Sequence, residues 1–205
     1  MKLQKWSDYY NVLFLGLFIA ILVRWTILSF YYFPSESMIP GILPHHYVLV
    51  NKLAYGLRLT PGGSVYFEQK VQTGDLVLFA LPSNEEKKFV KRVIAAAGDF
   101  VEIKAGRVWI NGAPLDVRVK NKLETVFEEK FRETVWEIFS LRLHSPTANF
   151  NKTQVPEGHF FVLNDNRDQL EDSRTFGMVP AKFLSGKVLL SFSVSDILRT
   201  HAITN

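Results

Sequence analysis

The sequence contains no cysteine. Disulfide bonds, thiolate catalysis and cysteine-held iron–sulfur clusters are therefore excluded, although the redox state of the compartment stays open. A block of basic residues is also missing, because the 24 Lys and Arg and the 20 Asp and Glu are scattered along the chain and leave a formal charge of +4. This charge pattern argues against nucleic-acid binding.

The sequence has few candidate metal ligands. Of its 5 histidines, His45 and His46 are adjacent, so that on a strand they would point to opposite faces and could not hold one ion together. We expect no metal and no cofactor.

Long apolar runs are missing except near the N-terminus. Residues 9–23 are almost wholly apolar, Arg24 interrupts the run, and residues 25–33 are again apolar and aromatic. The uninterrupted run is short for a membrane span. A cleaved secretory leader and a buried core helix are the alternatives, but no small-x-small cleavage site follows the run.

Residues at the ends of this run favour a membrane anchor. Tyr9, Tyr10 and Trp25 stand where interfacial aromatic residues belong, and Arg24 can extend its charge outward from the end of a span. Lys2 and Lys5 precede the run, and the positive-inside rule then keeps the N-terminus in the cytoplasm. A single span would leave everything after about residue 26 on the outer face of the membrane.

The aromatic stretch 25–33 has two interpretations. It would either hold the body of the protein close to the lipid surface or form an ordinary core strand, and the sequence leaves both open.

The rest of the chain has the composition of a β protein. Aromatic residues make up 14% of the sequence, and short stretches rich in Val, Ile, Phe and Tyr are broken by Gly, Pro and Asn. Residues 122–142 fit both a helical and a strand period. The expected strands are Tyr47–Lys52, Leu76–Ala80, Phe89–Ile94, Val101–Ile103, Val108–Ile110, Phe160–Leu163 and Lys187–Phe192.

Turn residues divide the chain into a main body and an insertion. Gly98-Asp99 and Val155-Pro156 punctuate the ends of a smaller β subdomain at 101–154. The predicted division is therefore 1–33 for the N-terminus, anchor and membrane-proximal segment, 34–100 plus 155–205 for the catalytic β domain, and 101–154 for the inserted subdomain.

Two short segments carry candidate catalytic groups. Ser35 and Ser37 lie in a rigid run between Pro34 and Pro40, where most serines only make turns. Lys91 and Arg92 are adjacent in a strand-like apolar run, so one of them must point toward the interior or a cleft. Burial lowers the pKa of a lysine, whereas the alternative is a lysine that protects a sheet edge from aggregation.

A third segment, residues 164–177, alternates carboxylates, amides and arginines directly after the expected strand Phe160–Leu163. A solvated loop would look similar. The pattern also suits a buried ion-pair network around an active site, because paired arginines and carboxylates fix geometry.

A series of motifs occurs in one order: Ser35-x-Ser37-Met38-x-Pro40, Tyr47–Lys52 with Tyr55–Arg58, Gly74–Phe79, Lys91–Val93 leading to Gly98-Asp99, and Asp165–Gly177. Together they resemble the bacterial type I signal peptidases from about Arg24 to Phe192. The resemblance implies a mainly β, antiparallel fold and a Ser–Lys dyad. It also implies removal of signal peptides from exported preproteins, after small residues of the Ala-x-Ala type, at the outer face of the inner (plasma) membrane. The implied partners are signal peptides and membrane lipid.

The resemblance also implies residue roles. Ser37 would be the nucleophile and Lys91 its general base, with the Ser37 backbone N–H and the Ser35 hydroxyl in the oxyanion hole. Because a base must be buried and adjacent strand residues point to opposite faces, we assign Lys91 to the cleft side and Arg92 to the opposite face, with Asp165 as its hypothetical partner. Further active-site support is expected from Arg167, Asp172, Ser173 and Arg174.

The chain departs from the family pattern at several positions. Leu170 stands where a small hydroxyl residue commonly holds the catalytic lysine, Asn164 replaces a glycine and Gly41 replaces a threonine. Ser173 could orient Lys91 instead, or the dyad could depend on packing alone. The alternative function is an inactive or specialised membrane-anchored paralogue that acts as a binding module.

Overall fold

The structure is a computed structural model that describes residues 2–58, 65–66, 69–121, 125–141 and 149–195. In this part of the chain, antiparallel strands dominate, as the sequence predicts. In chain order the elements are α1 (Lys2–Thr26), β1 (Leu28–Phe33), β2 (His46–Asn51), β3 (Leu57–Arg58), β4 (Val65–Tyr66), β5 (Leu76–Leu81), β6 (Asn84–Ala96), β7 (Phe100–Lys104), β8 (Arg107–Ile110), β9 (Ala113–Pro114), β10 (Asp116–Asn121), β11 (Val126–Phe131), β12 (Thr134–Phe139), β13 (Phe150–Gln154), β14 (His159–Leu163), α2 (Ser173–Phe176), β15 (Val179–Pro180) and β16 (Leu184–Phe192).

The main sheet has seven strands in the order β1-β2-β16-β5-β6-β14-β15. Its middle strands β5, β6 and β14 carry continuous buried runs, since both of their faces are covered. Each strand expected from the sequence overlaps an observed one. β6 begins five residues earlier than expected, at Asn84 rather than at Phe89, because its first residues form an exposed polar hairpin arm.

The ambiguous stretch 122–142 forms the hairpin β11–β12, so the strand interpretation is correct where the structure describes it. Residues 122–124 and 142 lie outside the described part. Side-chain pairs across the two strands stabilise this hairpin. A helical period considers the segment by itself and does not include these pairs. It belongs to a three-stranded sheet, β10-β11-β12, beside a four-stranded sheet, β13-β7-β8-β9.

These two sheets account for most of the expected subdomain 101–154. They share one buried core with the main sheet, to which Ile94, Phe161 and Leu163 contribute from β6 and β14. The domain boundaries themselves stay a prediction.

The aromatic stretch before residue 34 forms the edge strand β1, paired with β2. Phe33 is buried, whereas Phe30 and Tyr32 are exposed. Phe30, Tyr32, Tyr47 and Phe192 form a chain of ring contacts, which we call the aromatic face.

Helix α1 occupies the region of the expected anchor, and Val12, Leu13 and Phe14 are among its exposed apolar side chains. In the described part of the chain, no helix combines the length and apolarity needed to cross a membrane. The expected transmembrane helix is therefore not found, and the apolar run 9–23 is itself shorter than the about 20 residues that a span needs. The expectation for the side chains of Lys2, Lys5, Arg24 and Trp25 falls outside the described side chains.

Candidate active site

The loop after β1 holds Ser37 in a fixed position. Met38 and Ile42 are buried in the core, and the Ile42 N–H donates to the Met38 carbonyl at 2.8 Å. The carbonyl of Ser37 accepts a hydrogen bond from the Asn166 N–H at 3.0 Å. The serine, only 1% exposed, is thus tied both to the core and to the acidic segment.

Strand alternation in β6 brings Lys91 to this serine. Phe89 and Val93 lie on the same face as Lys91 and belong to one buried cluster. Lys91 is 2% exposed, and its Nζ donates to Ser37 Oγ at 3.2 Å although the two residues are 54 positions apart. The two groups proposed from the sequence as a dyad therefore lie within hydrogen-bond distance.

The surroundings of Lys91 favour its neutral form. Burial lowers the pKa of Lys91 from 10.5 to about 8, assisted by the nearby charge of Lys87, while the carboxylates of Asp172, Glu171 and Asp165 act in the opposite direction. At pH 7 roughly one lysine in ten would then be neutral, against roughly one in a few thousand for an unperturbed lysine. Desolvation therefore makes this amine usable as a base.

The two expected oxyanion-hole residues lie next to each other. Ser35 Oγ accepts a hydrogen bond from the Ser37 N–H at 3.1 Å. An incoming oxyanion would compete with this hydroxyl for the same N–H, and the hydroxyl could rotate to donate.

Arg92 and Asp165, expected to pair, are in contact on the other face of β6. Arg92 Nε and Nη2 donate to the two carboxylate oxygens of Asp165, each at 2.7 Å, and Nη1 donates to the Gly74 carbonyl at 2.8 Å. A Cβ added to Gly41 would lie 2.4 Å from Asp165 Oδ2. A glycine at position 41 therefore allows the Ser37 loop to pack against this ion pair.

Asp172 and Arg174 hold the acidic segment together. Arg174 Nε donates to Asp172 Oδ1 at 2.9 Å and Arg174 Nη1 to the Arg167 carbonyl at 2.9 Å. Asp172 also caps α2, because its side chain accepts from the Arg174 N–H.

Ser173 does not contact the Lys91 amine in this structure. Its Oγ accepts a hydrogen bond from the Val162 N–H at 3.0 Å. Leu170 is 55% exposed, and its carbonyl accepts from Thr175 Oγ1. The hydrogen bonds in the described residues therefore leave open which group orients Lys91.

Arg167 has a partner that the sequence did not reveal. Its guanidinium pairs with Glu129 of β11, with Nη1 to Oε1 at 2.8 Å, and Trp136 Nε1 donates to Glu129 Oε2 at 2.9 Å. Glu129 is 1% exposed. A buried carboxylate needs such partners, but Glu129 can be recognised as buried only when the register of β11 is known.

Within the described residues, no group of three His, Asp or Glu side chains is placed to hold a metal ion.

Comparisons with known proteins give a consistent picture. The family model described as signal peptidase, peptidase S26, matches residues 6–193. A signal peptidase I from Aquifex aeolicus (strain VF5) is 28% identical over 88% of this chain and 81% of its own length. A signal peptidase I from Pseudomonas fluorescens is 30% identical over 88% of this chain and 70% of its own length.

Among solved structures, a signal peptidase I from Enterococcus faecalis V583 is 30% identical, with a TM-score of 0.38 and coverage of 60% of this chain and 98% of that one. From the family match and the curated relatives, the chain belongs to the signal peptidase family, peptidase S26, and is a type I signal peptidase.

Proposed function

We propose that this enzyme removes signal peptides with a dyad in which Ser37 is the nucleophile and Lys91 is the general base. The observation that supports the proposal is the 3.2 Å contact between Lys91 Nζ and Ser37 Oγ. A serine hydroxyl attacks only when a base takes its proton, and a lysine is such a base only when neutral. The lowered pKa of Lys91, about 8, meets that condition.

The dyad would work in two halves. Neutral Lys91 takes the proton of Ser37 Oγ as the oxygen attacks the scissile carbonyl, and the oxyanion is stabilised by the Ser37 N–H and the Ser35 hydroxyl. The ammonium then protonates the leaving amine, which leaves an acyl group on Ser37. Lys91 next takes a proton from a water molecule as this water attacks the ester, and it returns the proton to Ser37 Oγ as the product leaves.

The substrate would bind as an extended strand. β1 is an edge strand and leads into the Ser37 loop, and β6 pairs with β14 only from Arg92 onward, so its preceding residues have a free edge in the described structure. Strand addition presents alternate side chains to one surface. Small residues such as alanine would then be read at the cut and two positions before it.

Membrane attachment would come from α1 and the aromatic face. Val12 is 71% exposed and Phe14 is 66% exposed, and so large an exposed apolar surface needs a cover. We infer that membrane lipid covers this apolar surface, because a signal-peptide substrate is itself inserted in the membrane. The catalytic body would then lie on the outer face of the bacterial plasma membrane, attached by one N-terminal segment.

Cleavage of a fluorescent preprotein in detergent tests the dyad. Ser37→Ala and Lys91→Ala should each abolish cleavage while the protein stays folded. Lys152→Ala is the control, since Lys152 is an exposed lysine of β13 in the four-stranded sheet, and it should cleave normally. Activity retained by either dyad variant would disprove the assignment.

Substrate variants test the extended pose in the same assay. A bulky residue in place of alanine at either small position should stop cleavage, whereas the residue between them should tolerate change. Equal sensitivity at all three positions would contradict an alternating, extended substrate, and efficient cleavage after large residues would remove the proposed specificity.

A further inference from the structure

Asn164, the residue after β14, has one buried polar atom without a partner. The side chain is 0% exposed. Its backbone N–H donates to Asp172 Oδ2 at 3.0 Å, its Nδ2 donates to the Gln169 carbonyl at 2.9 Å, and its carbonyl accepts from Arg167 Nε at 2.9 Å. Its Oδ1 has no hydrogen-bond partner in the described structure. A buried acceptor without a donor is costly and calls for an explanation.

The register of the sheet places Asn164 across from Lys91. Leu163 pairs with Arg92 in the antiparallel ladder between β14 and β6. Continuing that ladder by one residue puts Asn164 opposite Lys91, and residues directly opposite each other share a face of the sheet. On that face Val162 packs in one cluster with Val93, so Asn164 extends the row that lines the lysine.

Lys91 in turn has donors without acceptors. Its Nζ makes one hydrogen bond within the described residues, to Ser37 Oγ, whereas a neutral amine has two N–H groups and an ammonium has three. A buried donor without an acceptor is as costly as the reverse case. An unfilled donor on Lys91 and an unfilled acceptor on Asn164 therefore occupy facing positions.

We propose that Asn164 is a positioning residue for Lys91: its Oδ1 accepts a hydrogen bond from Nζ, directly or through one water molecule, when substrate is bound. The inference rests on the proposed dyad. Hydrogen bonds of a catalytic group are often long in the free enzyme and shorten when substrate binds. With one N–H held by Asn164, the lone pair of the amine is aimed at Ser37 Oγ.

Among the described side chains, the two that the sequence suggested for orienting Lys91 make no hydrogen bond to it. Ser173 Oγ accepts from the Val162 N–H and not from Lys91, and the apolar side chain of Leu170 is mostly exposed. The charged groups that act on Lys91 are Asp172, Glu171, Lys87 and Asp165. Burial and these four charges determine most of the pKa of Lys91, whereas an acceptor at Asn164 would add to them and also fix the direction of the amine.

Two variants of the full-length enzyme test the inference through opposite changes in the pH profile of kcat/KM. Asn164→Leu removes the acceptor, so kcat should fall at least tenfold with little change in KM. The acid limb of the profile, where activity falls as Lys91 becomes protonated, should move to lower pH. The reason is that the lost acceptor stabilised the ammonium, so its removal lowers the pKa of Lys91. Asn164→Asp keeps an acceptor but adds a negative charge, so the acid limb should move to higher pH by about one unit.

A control variant distinguishes two effects of the Asn164 substitutions, a changed orientation of the Lys91 amine and a general loosening of segment 164–177. Thr175→Val removes another side-chain hydrogen bond to the same segment, at the Leu170 carbonyl, and should leave the acid limb in place. If Asn164→Leu does not fold, Asn164→Ala carries the same expectation of a lower kcat and a downward shift.

The outcomes distinguish the inference from the dyad. Asn164 variants that behave like Thr175→Val, in an enzyme that Lys91→Ala inactivates, would overturn the inference and leave the dyad intact. Normal cleavage by Lys91→Ala would overturn both.

Discussion

Two adjacent cations of β6 have opposite surroundings. Lys91 is buried beside apolar side chains and makes its hydrogen bond to a neutral hydroxyl. Arg92, one position later, is paired through two hydrogen bonds with Asp165. Because neighbouring strand residues point to opposite faces, one step along the backbone separates a group whose charge is disfavoured from one whose charge is neutralised by a partner.

The burial of Lys91 should lower stability at neutral pH. Its pKa is lowered on folding, from 10.5 to about 8, so between these values the unfolded chain binds more protons and stability rises with pH. The free-energy cost of burying the charged Lys91 is complete below pH 8 and disappears above about pH 10.5. Lys91→Met should therefore abolish cleavage but raise the free energy of unfolding by about 3 kcal/mol at pH 7.

Urea unfolding at several pH values measures this effect. The gain of Lys91→Met should shrink as pH rises from 8 to 10.5, because the wild-type amine is then neutral in both states. A gain that is independent of pH would contradict the assigned burial cost.

Gly41 should not tolerate a side chain. The added Cβ of Gly41→Ala would lie 2.4 Å from Asp165 Oδ2 and 3.2 Å from Arg92 Nη2, and this bidentate pair cannot move aside without losing its hydrogen bonds. We expect a loss of about 1–3 kcal/mol in unfolding free energy, measured by thermal or urea unfolding. Gly16→Ala, where nothing lies within 4 Å of the added atom, is the control and should cause no loss.

At the scale of elements, the hairpin β11–β12 holds the acidic segment in place. The Phe139 N–H donates to the Asp165 carbonyl at 2.9 Å, and the Arg167 N–H donates to the Phe139 carbonyl at 2.8 Å. Asn166 lies between Asp165 and Arg167 in the chain, and its N–H donates to the carbonyl of Ser37. The hairpin thus supports the nucleophile through one intermediate segment, and the buried Glu129–Arg167 pair fastens the two together.

Breaking this pair from one side should be costly. Glu129→Ala leaves the Arg167 guanidinium buried without its carboxylate, and we expect a loss of about 3–5 kcal/mol in unfolding free energy. The double variant Glu129→Leu/Arg167→Leu removes both charges and should recover much of that loss. Chemical denaturation provides the measurement.

Glu128→Ala is the neighbouring control. Glu128 is only half-buried, so its removal should cost little. A double variant that is as unstable as Glu129→Ala would show that the pair contributes by packing rather than by charge compensation.

At the scale of the whole molecule, α1 exposes a series of large apolar side chains, and the aromatic face that follows it exposes Phe30, Tyr32 and Tyr47. Phe30 is 48% exposed and Tyr32 is 53% exposed, both on the edge strand that follows α1 directly. A contiguous apolar surface of this kind marks an interaction site. If the protein is attached to the membrane as proposed, a membrane-inserted substrate would reach the proposed dyad from that side of the protein.

The double variant Phe30→Ser/Tyr32→Ser tests this arrangement. Cleavage of a preprotein in lipid vesicles should fall several-fold, because the interfacial apolar area is lost, whereas cleavage of a short soluble peptide should be unchanged. Val119→Ser/Val135→Ser, also about half exposed but on the three-stranded sheet, is the control. An equal loss on both substrates would point to damage of the fold.

Local patterns were sufficient to predict the seven expected strands, whereas the candidate dyad also needed the resemblance to a family. Strand signals depend on a period of two residues and on turn residues, and both can be read within a few positions. The same rule separated Lys91 from Arg92 by face. The resemblance to a family added Ser37, and a single carboxylate-rich segment made Asp165 a natural partner for Arg92.

Only the tertiary structure decided which distant groups meet. Residues 122–142 carry both a helical and a strand period, and the pairing of β11 with β12 selects the strand. Glu129 and Arg167 are 38 positions apart, and Asn164 faces Lys91 only through the register of β14 against β6. A one-residue slip in either register would turn these side chains to the other face, so no local pattern could have assigned their roles.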